Sequence, residues 1–307
     1  MPSSSSPFLL SFLHREVEFP FDLVDGLPIG ISFISTAWDD KSIIEMAYAF
    51  EQENKFNKFY QPPSESEKEQ RLKKILSSSR PIDVGKSLWT DELTWMEIRD
   101  LIKNGYTQVI VPTGGIEQNG PFLTTGKHNV ILEAACPEIA KKLGNTLCAP
   151  IIKFVPEGNI EPPSGAMLFP GSISLRAETY HMLLDDIASS LKQAGFKHII
   201  FLGDSGGNQT GMEIVAGQLN QRWTDSGVLA HYIPQYYNPG WEETERFTKE
   251  ILGVEETSDD GHHDDIWVTA MMMVTDPEQV RYQQRVDVGL ATINGVDISS
   301  ICLLYTS

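Results

Sequence analysis

Four short segments hold most of the residues that could do chemistry. The first contains Glu117 and Asn119, in Gly114-Gly115-Ile116-Glu117-Gln118-Asn119-Gly120-Pro121. The second is Gly126-Lys127-His128-Asn129. The third is the turn Gly203-Asp204-Ser205-Gly206-Gly207-Asn208, and the fourth is Asp259-Asp260-Gly261-His262-His263-Asp264-Asp265. Carboxylates and imidazoles are the oxygen and nitrogen ligands of zinc and manganese. The same groups also move protons. The glycine turn supports three readings. It is a serine-nucleophile elbow, an anion-binding helix start, or the altered metal loop of an amidohydrolase.

The elements that position these residues are legible as alternating strands and helices. Gln108 to Pro112 reads as a buried strand leading to Glu117. His198-Ile199-Ile200-Phe201-Leu202 reads as a strand entering the glycine turn, with Met212, Val215, Ala216 and Leu219 on a helix leaving it. Asn129 to Leu143 predicts a helix interrupted near Pro137, and Ala149-Pro150-Ile151-Ile152 predicts another strand. Ala177 to Ala194 predicts a helix stopped by Gly195, with Leu183, Leu184, Ile187 and Leu191 on one stripe. Leu229 to Ile233 predicts a further strand. Strand-helix alternation implies an α/β fold, a three-layer sandwich whose mostly parallel central sheet is flanked by helices. Catalytic groups in such folds gather at the carboxyl ends of the strands.

Composition narrows the partners. The net charge is −18, from 24 basic and 42 acidic residues. A surface that acidic argues against nucleic acid and anionic membrane, because phosphate binding needs basic residues. No apolar run is long enough to span a bilayer. The N-terminal run around Phe8 to Leu13 lacks a preceding basic residue and is a poor signal peptide. Three cysteines, Cys136, Cys148 and Cys302, show no metal-type spacing. They predict no disulfide framework and a reducing, cytoplasmic location.

Three zones follow along the chain. Residues 1–61 contain a turn and strand, Gly26 to Ile34, then a helix with Ile43, Ile44, Ala47 and Phe50 on one face. Phe21-Asp22-Leu23-Val24-Asp25-Gly26-Leu27-Pro28-Ile29-Gly30, with Ala37-Trp38 and Ala47-Tyr48-Ala49-Phe50-Glu51, resembles the C-terminal tail of the amidase-signature family. That family's lysine and nucleophile segment have no counterpart here, so the zone reads as a strand-helix fragment without its own chemistry. Residues 62–87 read as a polar linker, with a short helix around Glu67 to Leu76. Residues 88–301 form the second domain, expected to be truncated at its C-terminus. Residues 302–307 read as a non-native tail.

The second domain resembles the creatininase (creatinine amidohydrolase) family over roughly residues 88–296, with the motifs in family order. Glu117-Gln118-Asn119-Gly120-Pro121-Phe122-Leu123 is similar to its Glu-Gln-His-Gly-Pro-His-Leu motif, and His128 falls where the family carries Asp. Phe169-Pro170-Gly171-Ser172 is similar to its Phe-Pro-Gly-Thr segment. Gly203 to Asn208 is similar to its Asn-Gly-His-Gly-Gly-Asn loop. His263-Asp264-Asp265, followed by Val268-Thr269-Ala270, is similar to its last motif.

The resemblance implies a metal-dependent amidohydrolase that cleaves a small amide, cyclic amides included, at a carbon–nitrogen bond other than a peptide bond. It also implies a homo-oligomer. The family binds two metal ions. Here Asn119 and Ser205 replace histidines, His128 replaces the bridging Asp, and Val268 stands where Glu is expected. One ion, zinc or manganese, is therefore expected rather than two. Its ligands are Glu117, His128 and Asp204, with Asp264 nearby. His263, either a ligand or the general acid/base, and Asp265 are the proton-transfer candidates. Asn119, Gly206, Gly207 and Asn208 are expected to touch substrate or support the ligands.

Two rival readings remain open. Ser205 with Asp259 or Asp260 and His263 has the chain order of an α/β-hydrolase triad. Alternatively, the substituted site is inactive and serves ligand binding or assembly.

Overall fold

The computed structural model describes residues 14–24, 27–36, 40–54, 64–238, 240–253, 263–264, 266–288, 292–293 and 296–297. The chain divides into two compact units, Met1–Ser79 and Arg80–Ser307. The first opens with an antiparallel hairpin, β1 (His14–Val24) and β2 (Leu27–Thr36), whose register shifts between Pro20 and Asp22. Proline lacks the N–H that a ladder needs, so it belongs at such an irregularity. Sequence patterning predicted β2 but not β1, because charges and Pro20 break its alternation. Helix α1 (Asp40–Asn54) packs on the hairpin and buries Ile43 and Ala47. Ile44, expected on the same stripe, is 60% exposed. Helix α2 (Glu65–Ser77) occupies half of the segment read as linker, around the short helix expected there. Ser64 and Glu67 cap it reciprocally, and none of its side chains is buried.

The second unit carries the site. Helix α3 (Trp95–Lys103) follows Thr94, and Thr94 and Glu97 form a second capping box. Then come β3 (Gln108–Thr113), α4 (Lys127–Leu143), β4 (Thr146–Cys148), α5 (Ala177–Ala194), β5 (His198–Gly203), α6 (Gln209–Arg222) and β6 (Leu229–Tyr232). The four strands pair in the order β4-β3-β5-β6, all parallel. The chain continues through α7 (Gly240–Phe247), α8 (Ile266–Thr275) and α9 (Tyr282–Val288) to a small antiparallel pair, β7 (Thr292–Ile293) and β8 (Val296–Asp297).

Period-two alternation along the strands explains the three layers. Val109 and Val111 of β3, with Ile199 and Phe201 of β5, face Tyr180, Leu184 and Ala188 of α5 and Met212, Val215 and Leu219 of α6. Ile110 and Leu202 face the other way, toward Leu132, Cys136 and Ala140 of α4. The α/β sandwich predicted from the sequence is the fold observed.

Three local readings are corrected. Helix α4 runs through Pro137 without a break. Proline removes one intrahelical bond, but Leu132, Cys136 and Ala140 on the same face are each 1% exposed or less, and their packing holds the helix together. Strand β4 ends at Cys148, so Ile152 contributes only an isolated bridge to Thr113. Cys136 of α4 and Cys148 of β4 form a disulfide, with Cα atoms 6.4 Å apart. Spacing alone missed this pairing because helix-on-sheet packing, not sequence separation, brings the two together. Among the described residues, no helix is long and apolar enough to cross a membrane.

Glu97 ties the start of the second unit to α3. Its carboxylate accepts from the backbone N–H of Thr94, at 2.7 Å, and from that of Gly85. Arg80 meets Asp100 at 3.2 Å nearby. Bonds from Thr94 and Gly85 lower the Glu97 pKa, so this contribution is present above the ordinary carboxyl range and is lost as pH falls through the depressed value. Glu97→Gln should lower the thermal midpoint at neutral pH, with the deficit shrinking in acid. A fragment beginning at Arg80 should melt higher than one beginning at Leu88, which lacks both contacts. Equal midpoints in scanning calorimetry would contradict this.

Candidate functional site

The sheet order places a topological switch between β3 and β5, since the chain leaves one toward α4 and the other toward α6. Their carboxyl ends, Thr113 and Gly203, therefore open a crevice. Three asparagines fix the loops around it. Asn208 donates through Nδ2 to the carbonyls of Thr113 and Gly114 at 2.9 and 3.1 Å. Asn129 donates to Gly115 O at 2.9 Å. Asn119 donates to the carbonyls of Glu117 and Thr124, both at 3.0 Å.

On this frame sits a buried chain of charge. His128, in the first turn of α4, places Nε2 2.7 Å from Glu117 Oε1 and Nδ1 2.9 Å from Asp204 Oδ2. His263 brings Nδ1 to 3.1 Å from the same Glu117 oxygen. Tyr236 donates its hydroxyl to Asp204 Oδ1 at 3.1 Å. Burial alone would raise the Glu117 pKa. The hydrogen bond from His128 and the nearby His263 imidazole, with their charge, outweigh it and hold the carboxyl well below the usual range. Burial and Lys127 push His128 down, but its two carboxylate partners win and the imidazole is raised.

A second buried carboxyl, Glu157, lies beside the cluster. Ser205 donates to its Oε2 at 3.1 Å. Burial, then the charge of Glu117, pushes the Glu157 pKa up to about 9. Two glycines admit it. A Cβ on Gly115 would run into Glu157 Oε1, and one on Gly207 would run into the Pro156 carbonyl just before it. Around these groups is a cavity of about 550 Å³, walled by Glu117, Lys127, His128, Glu157, Asp204, Ser205, Gly206, Gly207, Tyr236, Tyr237, His263 and Trp267 among others.

The structure thus brings Glu117, His128, Asp204, Ser205, His263, Gly206 and Gly207 to one cavity. Asp264 is buried but lies against Gly120, outside the cavity wall. Asn119 and Asn208 work as loop braces rather than in the wall. Asp265, Asp259 and Asp260 fall outside the described residues. Ser205 has extended backbone (φ −105°) and accepts from Gly207 N at 3.4 Å, as a helix N-cap does. Its hydroxyl meets a carboxyl, while His263 meets Glu117, so among the described residues no imidazole activates it as a triad requires.

Sequence reading missed Glu157, Lys127, Tyr236 and Tyr237. Glu157, Tyr236 and Tyr237 stand in segments without motif lettering, while Lys127 lies inside the second motif segment and was passed over beside His128. The one available signal was Glu157 following Pro156 shortly after an apolar stretch.

The raised Glu157 pKa has a measurable consequence. The folded chain holds its proton up to about pH 9, while the unfolded chain loses it near 4.5. Folding therefore takes up a proton between these values, and stability falls as pH rises across that window. In chelator-treated protein, Glu157→Gln should match the wild type near the lower bound and gain increasingly toward the upper. A parallel pH dependence of the two midpoints would refute this.

Comparison with known proteins agrees with the geometry. The family model described as creatinine amidohydrolase matches residues 91–294. The chain is 26% identical over 134 residues to the creatinine amidohydrolase of Pseudomonas putida, covering 44% of this chain and 50% of that protein. It thus spans about half the length of that relative. A crystal structure of creatininase superposes with a TM-score of 0.56 at 19% identity, covering 65% of this chain and 76% of the other. A manganese form, "Creatininase Mn", gives 0.53 at 19% identity, covering 64% and 75%. Separately, 41 residues (13% of this chain) are 49% identical to 8% of a glutamyl-tRNA(Gln) amidotransferase polypeptide from Thermoanaerobacter pseudethanolicus, in keeping with the amidase-like resemblance. With the family model covering most of the α/β unit, the chain belongs to the creatininase family.

Proposed function

We propose that this protein is an amidohydrolase that cleaves a small amide at a non-peptide carbon–nitrogen bond with the help of one divalent ion. The observation that carries the reading is the convergence of two imidazoles on one carboxylate oxygen, at 2.7 and 3.1 Å, inside the cavity. Among solved structures of similar fold are a manganese form and a zinc–zinc form of creatininase.

The donor chemistry fits one ion. Among the described residues, no three His, Cys, Asp or Glu side chains already surround an ion-sized gap. Instead the donors share protons with one another, and metal binding releases protons from such ligands. Glu117, His128 through Nε2, and His263 through Nδ1 would hold the ion, a two-imidazole, one-carboxylate set of the kind found in hydrolytic zinc sites. Asp204 then acts behind His128. Accepting from Nδ1–H, it fixes the tautomer that leaves Nε2 free to bind. When bound, the ion supplies carbonyl polarisation and a more acidic water.

The chain's own residues do the rest. Hydrolysis moves one proton, net, from the attacking water to the leaving nitrogen. Glu157, protonated beside Glu117 and hydrogen-bonded by Ser205, can give its own proton to the leaving nitrogen and take back the one the water loses. Tyr237, whose hydroxyl is pushed up to about 12 by burial and then by the carboxylates around it, stays protonated and can donate to substrate oxygen. The aromatic wall of Trp267, Tyr236 and Tyr237 limits water around the reacting bond.

Purified protein should carry zinc or manganese by elemental analysis, and adding either ion should raise its thermal midpoint. Glu117→Gln should abolish retention and amide hydrolysis together. Asp204→Asn should weaken ion binding about 10–100-fold, the usual effect of losing a carboxylate behind a metal-binding histidine. Protein that neither retains nor responds to either ion, yet hydrolyses amides, would overturn the metal-dependent reading.

A further inference from the structure

One charged wall residue is not absorbed by that mechanism. Lys127 is the first residue of α4 and only 4% exposed. Its ammonium carries three donors, and its one hydrogen bond among the described residues is to the His263 carbonyl, at 3.2 Å. Among the described residues, no carboxylate lies within ion-pair distance of it. Its position is electrostatically unfavourable. The helix N-terminus carries partial positive charge, and the first turn of α4 holds no acidic residue to offset it. A buried charge in such a place costs stability unless something pairs with it.

The surroundings say what that partner is. Lys127 and Ile131 stand one turn apart on α4, and both line the cavity. Ile131 packs with Val268 and Met272 of α8, while Trp267, Val268 and Met271 of that helix face the cavity. The ammonium thus sits at the polar tip of an apolar recess, where a charge pair is strengthened by low dielectric. A dianion is disfavoured, because Glu117, Asp204 and Glu157 line the same cavity. A single carboxylate matches the single ammonium.

We propose that Lys127 binds a carboxylate on the substrate, so that the preferred amides are small amide-bearing acids of the N-acylamino acid kind. This inference rests on the amidohydrolase reading and names the substrate class for it. The carboxylate enters the recess of Ile131 and Trp267 and accepts from Lys127 Nζ, and the amide then lies toward Glu117 and His128.

Calorimetric binding of N-acetylglycine and of its neutral counterpart N-acetylglycinamide to the ion-loaded full chain tests this without turnover. Wild type should prefer the acid by about tenfold or more, as a desolvated charge pair allows. Lys127→Met, which keeps the apolar stem, should erase the preference by weakening the acid alone, and Lys127→Arg should keep part of it. Equal or undetectable binding of the two ligands by wild type overturns the inference, as does a preference that survives Lys127→Met. If Lys127→Met does not fold, the wild-type comparison and Lys127→Arg decide. Preferential binding of the acid with hydrolysis of neither amide, nor of other small amides, would instead sink the hydrolase reading and leave the carboxylate site standing. Hydrolysis of the neutral amide without preference would do the reverse.

Discussion

The bridge Glu117–His128–Asp204 is the constraint on which the rest of the site depends. One imidazole, 6% exposed, spans two carboxylates from the loops after β3 and β5 and is itself anchored in the first turn of α4. Removing either carboxylate would leave a buried imidazolium half paired, and removing the imidazole would leave two buried carboxylates facing each other. The bridge therefore sets the spacing of the crevice at the strand ends. It also sets the protonation pattern. Glu117 stays ionised because His128 donates to it and the His263 imidazole stands 3.1 Å away, and Glu157 beside it is driven by burial, then by the Glu117 charge, to hold its proton. Two carboxyls of one chemistry acquire opposite protonation habits, Glu117 through its imidazole neighbours and Glu157 through burial and then the charge of Glu117.

The parallel sheet makes the bridge possible. β3 and β5 lie side by side, so Glu117 and Asp204, far apart in the chain, emerge at the same edge. The helices then lock it. α4 presents His128 into the crevice while its Leu132, Cys136 and Ala140 pack on the sheet. Side-chain amides finish the arrangement, since Asn208, Asn129 and Asn119 donate to backbone carbonyls at the end of β3 and in the loop that follows. Buried backbone groups need such partners, which accounts for Asn119 and Asn208, expected to touch substrate or support ligands, acting as loop braces.

The substituted motifs acquire physical meaning in this frame. Ser205, in the place of a motif histidine, caps the short turn before α6 and orients Glu157. Glycine at 115 and 207 leaves the room that Glu157 occupies.

Sequence alone determined the α/β class and the strand–turn–helix setting of the glycine turn, and with the family resemblance it nominated Glu117, His128, Asp204 and His263 as candidates. The first two follow from local periodicity and the candidates from residue type and motif order, none of which needs knowledge of distant neighbours. Tertiary structure decided the contacts. It placed Asp204 behind His128, turned Asp264 toward Gly120 and set Ser205 on a carboxyl instead of an imidazole. It also paired Cys136 with Cys148 and carried α4 through Pro137. Glu157 and Lys127 became visible only there, because burial and unmatched charge are properties of packing. No spacing rule along the chain encodes which side chains will share a cavity wall.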